Sequence, residues 1–395
     1  MIVAPDRSIR TPRPQASGPT VLQVVPALEM GGVERGTVDV AQALGNAGYR
    51  ALVTSAGGHM VHELERAGAR HVVLPLARRN PWTIRANVGR LARLIEAEDV
   101  ALVHARSRAP AWSARAAARR TGRPFVTTFH GVYNFRTPIK RAYNAIMARG
   151  DRVIAISAFV AEHIRALYRI DEARLRVIPR GIDTAAFDPA GVSPERLIAL
   201  AHRWTLPDGA PVVMMPARLA RWKGHAVLIE AMGRLERSDA LLVLVGLEGR
   251  HGGYRRELER RVAEAGLGRR VRLIDHVADM PAAYMLADVV VSASTDPEAF
   301  GRVAVEAQAM GRPLVASDHG GSSETVAHGE TGWLVPKGDA AALARALTEA
   351  LALDAPARAG LAERGRARVL ARYTKEMMTA RTLDVYRELL DRARP

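Results

Sequence analysis

The feature that most constrains the fold is the alternation of short apolar runs with segments of helical periodicity, which starts near residue 21. Such alternation is typical of repeated βα units, whose strands form a parallel sheet covered by helices on both faces. Helices are predicted up to Leu44 and from Thr83 to Ala97. The strand-like runs of the first half are Val21 to Pro26, Arg50 to Ser55, Arg70 to Pro75, Ala101 to His104, Phe125 to Phe129 and Arg152 to Ile156.

A stretch with four prolines, residues 186 to 211, interrupts this pattern. Chain breakers between two periodic regions indicate a linker, and 395 residues exceed what one ordinary α/β core needs. The alternation then restarts, which predicts a second doubly wound sheet. Its strand-like runs are Val212 to Met215, Leu241 to Gly246, Val271 to Asp275, Val289 to Ser294 and Pro313 to Ser317.

We therefore expect an α/β protein with two Rossmann-like, doubly wound parallel-sheet domains that face a central cleft, residues 20–195 and residues 196–373. Residues 1–19 lack the apolar run of a signal peptide and are predicted to be a disordered tail. Residues 374–395 contain apolar residues at helical spacing from Thr374 to Arg392, which predicts a C-terminal helix that packs back toward the N-terminal domain.

The absence of cysteine and of long apolar runs excludes several classes of site and protein. The chain has no cysteine, which excludes disulfides, zinc–thiolate sites and thiol catalysis. No apolar run approaches the roughly 18 residues that span a bilayer. We expect a cytoplasmic location, with peripheral attachment to the inner face of the cytoplasmic membrane as the finer expectation.

Positive charge is concentrated in the first half, where residues 1–200 carry 29 Lys and Arg against 16 Asp and Glu. Residues 100–150 contain ten basic side chains and no carboxylate, a surface that attracts anions. Nucleic acid is disfavoured because no known nucleic-acid motif accompanies the charge, whereas a merely solvated arginine-rich surface stays open. An anionic membrane or anionic lipid-linked acceptor is the expected partner. Within the segment, Pro110 to Arg120 has Arg115 and Arg119 one turn apart, a pattern that suits a helix lying on an anionic bilayer or binding a phosphorylated glycolipid.

The segment Glu298-Ala299-Phe300-Gly301-Arg302-Val303-Ala304-Val305-Glu306 follows a predicted strand and opens a helix. A glycine at a helix N-terminus exposes the amides of the next residues, here Arg302 and Val303, and with the helix dipole they suit a diphosphate. Glu298 and Glu306 can then reach different parts of one extended ligand, the sugar and the ribose. The alternative is that both are ordinary helix carboxylates, one at the helix start and one solvated.

This segment resembles the E-x-F-G-x-x-x-x-E signature of glycosyltransferase family 4, a group of retaining GT-B enzymes, and the resemblance extends over about residues 20 to 392. It implies that Phe300 and Gly301 border the nucleotide-sugar donor. Gly31 and Gly32, in Gly31-Gly32-Val33-Glu34-Arg35, match the family's Gly-Gly-x-Glu-Arg loop and are expected to approach the donor closely. Gly246, at the end of a predicted strand, is also expected to border it.

The resemblance also implies that Arg218 and Lys223 bind the donor phosphates, where preorganised cations stabilise charge on the leaving oxygen. The alternative is that Arg218 and Lys223 are basic residues of the surface without a role in donor binding. His130, which ends a predicted strand, is implied to position the transferred sugar rather than to be a simple polar loop residue. We therefore predict His130, Glu298, Arg218 and Lys223 as the catalytic set.

Two motifs depart from the family pattern. In Ile178-Pro179-Arg180-Gly181-Ile182-Asp183 an arginine, Arg180, replaces the usual asparagine, and we interpret this segment as structural. The loop Gly320-Gly321-Ser322-Ser323-Glu324 lacks the family's proline, and Glu324 is kept as a further candidate site residue.

The resulting hypothesis is a retaining glycosyltransferase that moves a hexose from a nucleotide-diphosphate sugar to an anionic glycolipid or polysaccharide, as in bacterial lipopolysaccharide or cell-surface polysaccharide biosynthesis. The first domain would hold the acceptor and the second the donor. No Asp-x-Asp occurs in the chain, so no metal and no other cofactor is expected. The alternatives are another GT-B sugar-nucleotide enzyme, either an epimerase or an inverting transferase, and a non-catalytic protein that binds a glycan or a nucleotide.

Overall fold

The computed structural model of the chain describes residues 18–133, 135, 137–235, 239–246, 253–275 and 277–392. The tail predicted at residues 1–19 therefore lies outside the described residues, except for Gly18 and Pro19. Arg136 of the basic segment and the last three residues of the predicted C-terminal segment also lie outside them.

The first sheet has seven strands in the order β3-β2-β1-β4-β5-β6-β7. The first strand in sequence, β1, pairs in parallel with β2 on one side and with β4 on the other, so the chain winds outward from β1 in both directions. The strands are β1 (Thr20–Val24), β2 (Arg50–Ser55), β3 (Arg70–Val73), β4 (Val100–Ala105), β5 (Phe125–Phe129), β6 (Arg152–Ala155) and β7 (Leu175–Val177). The helices between and after them are α1 (Gly32–Asn46), α2 (Val61–Arg66), α3 (Pro81–Ala97), α4 (Arg108–Arg120), α5 (Pro138–Asn144) and α6 (Ala158–Tyr168).

The second sheet has six strands in the order β10-β9-β8-β11-β12-β13. Its strands are β8 (Val212–Pro216), β9 (Leu241–Val245), β10 (Val271–Ile274), β11 (Val289–Ser292), β12 (Leu314–Ser317) and β13 (Trp333–Val335). Its helices are α7 (Pro194–Trp204), α8 (His225–Gly233), α9 (Tyr254–Glu264), α10 (Met280–Leu286), α11 (Arg302–Ala309), α12 (Ser322–Thr325), α13 (Ala340–Leu351) and α14 (Ala355–Arg372). A last helix, α15 (Lys375–Arg392), begins one residue after the start predicted for it.

Both faces of the second sheet are buried, which explains why its strands read as unbroken apolar runs. Val213 and Met215 of β8 pack in one core cluster with Leu228 and Leu347, from helices on that face. The alternate β8 residues, including Met214, pack in the other cluster, with α7 and α10. The expectation of two doubly wound, Rossmann-like parallel sheets is confirmed. Strand β7 was not predicted, because it is only three residues long and shows no periodicity.

The chain divides into two compact units, the first made of residues 1–128, 135–153 and 382–395 and the second of residues 129–134 and 154–381. The strands of the first sheet end at Val177 and those of the second begin at Val212. The domain boundary at residue 195 stays a prediction. In the first unit, the hydroxyl of Tyr386 in α15 lies 2.6 Å from Nδ1 of the buried His104 in β4.

No helix in the described part of the chain is both long enough and apolar enough to cross a membrane.

Candidate functional site

The topology of the second sheet selects the place for a site. The chain winds outward in both directions from β8, which pairs with β9 on one side and with β11 on the other. In open α/β sheets, ligands bind beyond the carboxyl ends of the strands at such a switch point. The segment after β8 carries Arg218 and Lys223, and the segment after β11 carries Glu298 and Gly301. The sheet therefore brings together predicted residues that are far apart in sequence.

Lys223 and Glu298 form the centre of this site. The ammonium nitrogen Nζ of Lys223 lies 2.5 Å from Oε1 of Glu298, and the hydroxyl of Ser294 donates to the same oxygen over 2.5 Å. Both side chains are largely covered, with 16% and 15% exposed. An ammonium group has three donors and a carboxylate about four acceptor positions, so the pair keeps capacity for a ligand. Sequence reasoning missed Ser294, although a hydroxyl beyond the carboxyl end of a parallel strand was a usable signal.

Close backbone packing holds the Lys223 loop in place. The amide of Thr295 donates to the carbonyl of Trp222 over 2.7 Å, which joins the loop after β8 to the loop after β11. Gly224 has a φ of 83°, and a Cβ there would lie 1.8 Å from the carbonyl oxygen of Ala293. Only glycine allows this approach, so the position of Lys223 depends on its neighbour.

The N-terminus of α11 lies at the same edge. Gly301 precedes the helix with φ 85° and ψ 55°, a left-handed conformation that glycine adopts without strain. The amides of a first helical turn, here those of Arg302 and Val303, have no acceptor within their own helix, and the helix dipole favours an anion there. Phe300 is buried edge-to-face against Tyr373, with ring centroids 5.6 Å apart. Phe300 therefore anchors the loop by packing against Tyr373, and its contact with a donor stays a prediction.

Glu306 is buried, so the alternative interpretation of a solvated carboxylate is wrong. Its Oε2 accepts a hydrogen bond from the hydroxyl of Tyr284 over 2.8 Å, and its Oε1 accepts one from the guanidinium of Arg302 over 2.6 Å. Burial, and then the charge of Glu306, raises the pKa of Tyr284 well above its ordinary value, so this tyrosine remains a donor. The two partners fix the orientation of the Glu306 carboxylate.

His130 directly follows β5 and lies in the second unit with the residues above. A Cβ on Gly131 would lie 4.0 Å from Cβ of Ala299, which places this segment beside the residue that follows Glu298. On its other side, Nη1 of Arg180 lies 3.3 Å from Nδ1 of His130. The sequence interpretation of Arg180 as purely structural missed this contact.

The carboxylate of Glu324 has partners within the protein. Its carboxylate accepts hydrogen bonds from the backbone amides of Ala158, over 2.9 Å, and of Phe159, at the N-terminus of α6. A carboxylate stabilises the amides and the dipole of a first helical turn, so the side chain acts as a helix cap. The loop before it lies beside Glu298, because the amide of Gly321 donates to the carbonyl of Glu298 over 2.7 Å. A donor contact of Glu324 stays a prediction.

The remaining predicted donor residues have separate surroundings. Arg218 is exposed just beyond β8. Gly246 is required by packing, because a Cβ there would lie 1.9 Å from the carbonyl oxygen of Ala217. In the first unit, Gly31 and Gly32 stand at the start of α1, and a Cβ on Gly31 would have the carboxylate of Glu34 as its nearest neighbour. Donor contacts of these residues stay predictions.

The basic segment needs two corrections. Arg106 is buried, and its guanidinium donates to Oε1 of Gln23 over 3.0 Å, so it is not part of the exposed basic surface. Burial lowers the pKa of Arg106. The apolar side of α4 is also buried, including Ala111 and Ala114, and Trp112 donates from Nε1 to the carbonyl of Tyr143 over 3.3 Å. This side of Pro110 to Arg120 is therefore closed to a bilayer.

Among the described residues, no group of three or more His, Asp and Glu side chains is arranged to hold a metal ion. That the reaction needs no metal stays a prediction.

Two family models match the chain. The model described as Glycosyltransferase Family 4 matches residues 30–186, and the one described as Glycosyl transferases group 1 matches residues 200–368. A D-inositol 3-phosphate glycosyltransferase of Xylanimonas cellulosilytica is 36% identical over 62% of this chain and 59% of its own length. A GDP-mannose-dependent alpha-(1-6)-phosphatidylinositol monomannoside mannosyltransferase of Mycolicibacterium smegmatis is 31% identical over 67% of this chain and 70% of its own. The chain thus spans less than two thirds of the first of these relatives.

Solved structures are similar over nearly the whole chain. A glycosyltransferase from Rickettsia africae ESF-5 has a TM-score of 0.88 and 37% identity, over 95% of this chain and 99% of its own. The Anabaena protein HepE in complex with UDP-glucose has a TM-score of 0.81 and 25% identity, over 94% of this chain and 100% of its own.

Proposed function

Because the chain belongs to glycosyltransferase family 4, we propose that it transfers a hexose from a nucleotide-diphosphate sugar to a glycolipid or polysaccharide acceptor, with retention of the anomeric configuration. The observation that carries the proposal is the Lys223–Glu298 pair beside the N-terminus of α11, at the switch point of the second sheet. The printed name of one relative includes GDP-mannose, and one similar structure holds UDP-glucose, which supports a nucleotide sugar as donor.

The chemistry follows from the charges at this site. An oxygen of the acceptor hydroxyl bonds to the anomeric carbon, while the bond from that carbon to the phosphate oxygen breaks and its electron pair stays on the leaving diphosphate. Lys223, Arg218 and the first amides of α11 stabilise the charge that develops there. As the family resemblance implies, the leaving phosphate oxygen takes the acceptor proton on the same face of the sugar.

The two glutamates have binding roles in this scheme. Glu298, which keeps acceptor positions besides those used by Lys223 and Ser294, accepts hydrogen bonds from hydroxyls of the transferred sugar. Glu306, held by Tyr284 and Arg302, accepts from the ribose. They are not a nucleophile and acid pair of the kind found in retaining hydrolases.

Donor binding without a metal is the most direct test. We expect EDTA-treated protein to be stabilised against thermal unfolding by at least one of the UDP-, GDP- and ADP-sugars, by about 2.7 kcal/mol at a ligand concentration 100 times Kd. Addition of Mg²⁺ should leave this stabilisation unchanged, because cationic side chains and helix amides bind the diphosphate. The measurement is a thermal-shift series with and without EDTA. Binding that EDTA abolishes and Mg²⁺ restores would contradict metal independence, and binding of no sugar nucleotide would refute the proposed function.

For the acceptor side, we propose peripheral binding to an anionic bilayer, as expected for a glycolipid acceptor in lipopolysaccharide or cell-surface polysaccharide biosynthesis at the inner membrane face. Among the described residues of the first unit, Trp82 and Ile139 are the most exposed large apolar ones, at 81% and 83%. Both follow carboxyl ends of strands in one parallel sheet, Trp82 after β3 and Ile139 after β5, and so lie at the same sheet edge. Exposed bases flank them, namely Arg78, Arg79, Arg85, Lys140 and Arg141. Aromatic and basic side chains together suit an anionic interface.

We expect the double variant Trp82→Ala/Ile139→Ala to bind vesicles rich in phosphatidylglycerol at least about tenfold more weakly than the unmodified chain, because each side chain adds apolar area buried in the interface. Vesicle sedimentation at fixed salt measures this. The matched control is Ile198→Ala/Leu370→Ala, which removes apolar side chains that are 57% and 47% exposed in the second unit. Equal binding to anionic and neutral vesicles, or an equal loss in both double variants, would contradict the proposed surface.

A further inference from the structure

The residue that departs from the family motif contacts the predicted sugar-positioning histidine. Nη1 of Arg180 lies 3.3 Å from Nδ1 of His130, within hydrogen-bond distance, although the residues are 50 positions apart in sequence. The Arg180 side chain is only 6% exposed. A buried cation beside a histidine constrains both the charge and the proton position of the imidazole ring.

The backbone that follows Arg180 is held by a β-bridge between Ile182 and Thr374. The amide of Ile182 donates to the carbonyl of Tyr373 over 2.9 Å, and the amide of Lys375 donates to the carbonyl of Ile182 over 2.8 Å. A Cβ on Gly181 would lie 2.2 Å from the carbonyl oxygen of Thr374, so the two segments are in close backbone contact. Arg180 therefore extends toward His130 from a fixed base.

The chemistry of the two groups decides which one donates. A guanidinium group is always charged and has only donors, so the hydrogen bond requires a lone pair on Nδ1 of His130. A neutral imidazole with a lone pair on Nδ1 carries its proton on Nε2. A protonated ring would place a second positive charge against the buried guanidinium, which the low-dielectric surroundings make costly.

We propose that Arg180 is a positioning residue that holds His130 neutral with its proton on Nε2, so that the ring presents a hydrogen-bond donor to the transferred sugar. The presence of the sugar rests on the proposed function, whereas the state of the ring does not. With the opposite tautomer, Nε2 of His130 would carry a lone pair and present an acceptor to the sugar. A sugar hydroxyl that already donates its proton to Glu298 would then receive no hydrogen bond from His130.

The state of the ring is measured by two-bond ¹H–¹⁵N correlation spectra of protein with ¹⁵N-labelled histidine, in which His130 is identified by its loss in His130→Gln. We expect the unmodified chain at neutral pH to show Nε2 as protonated and Nδ1 as unprotonated. Arg180→Met, which keeps the length but removes charge and donors, should change this pattern to mixed tautomers. Arg180→Lys should retain it. Arg176→Met is the matched control, because Arg176 in β7 donates to the backbone carbonyls of Ala173 and Leu175.

Kinetics supply the second readout. Arg180→Met should lower kcat by about tenfold while KM for the donor changes by less than about twofold, because a misplaced proton affects orientation more than affinity. Arg180→Lys should recover most of kcat.

The outcomes separate the two proposals. A His130 ring that is protonated on Nδ1 in the unmodified chain, or whose pattern is the same in Arg180→Met, would overturn the role of Arg180 whatever the activity. Should Arg180→Met fail to fold, the unmodified chain and Arg180→Lys still decide the matter. Absence of sugar transfer by the unmodified chain, with the expected spectrum, would refute the proposed function and leave the Arg180–His130 coupling standing.

Discussion

Replacement of Lys223 by alanine is expected to lower kcat/KM for sugar transfer by about 10²- to 10³-fold. Lys223 is the largely covered cation at the switch point of the second sheet, and it pairs with Glu298 over 2.5 Å. Its loss removes a preorganised positive charge that would stabilise the leaving diphosphate. Of the two groups that contact Oε1 of Glu298, only the hydroxyl of Ser294 then remains. The repulsion between that carboxylate and the diphosphate adds to the loss.

Initial rates with saturating acceptor measure this effect. Lys337→Ala is the control, because Lys337 is an exposed lysine of the same unit and its removal changes net charge equally. A loss that is equal in both variants would mean that general electrostatic attraction, and not local stabilisation, is at work. A change of less than about threefold in Lys223→Ala would refute the assignment of Lys223 to the leaving diphosphate.

Gly224→Ala is expected to destabilise the second unit by about 3 kcal/mol or more. The residue has a φ of 83°, which is unfavourable for alanine by about 1 to 2 kcal/mol. In addition, the new Cβ would lie 1.8 Å from the carbonyl oxygen of Ala293, a backbone atom that cannot rotate away. Any relaxation moves the loop after β8 relative to the loop after β11, so weaker donor binding should accompany the lower stability.

Urea denaturation followed by circular dichroism measures this change. Gly233→Ala provides a control at the other end of α8, since Gly233 is exposed and an added Cβ would have no atom within 4 Å besides its chain neighbours and the backbone of its own helix. Alanine is the better helix former, so this variant should be unchanged or more stable by up to about 1 kcal/mol. A Gly224→Ala variant as stable as Gly233→Ala would show that the close approach at Gly224 is absent in solution.

Much of the candidate site could be predicted from sequence because parallel strands place their carboxyl ends at one edge. Once two strand-like runs were identified before Arg218 and before Glu298, their proximity followed from the expected sheet. The start of a helix directly after Gly301 was likewise predicted from the residues that follow it, whereas the left-handed conformation of Gly301 was not. Such features depend on local pattern and on one topological rule.

Other features could not be predicted, because they depend on which distant segments meet. The sequence shows Glu324 and Arg180 as polar residues of loops, but not that one caps α6 or that the other contacts His130. The basic segment shows ten positive charges without showing that Arg106 is buried against Gln23. To predict side-chain partners of this kind, one needs to know where both segments of the chain lie in space.

The amino-acid sequence by itself determined the two doubly wound sheets, because alternating hydrophobic periodicity and turn residues act over short distances along the chain. The segments that carry Lys223, Glu298 and Gly301 were recognised separately, from their resemblance to the motifs of the family. Only the tertiary structure decided how the polar groups are paired: Ser294 with Glu298, Tyr284 with Glu306, and Arg180 with His130. The physical reason is that a hydrogen bond requires donor and acceptor atoms within about 3.5 Å, a condition that packing sets and that spacing in sequence does not.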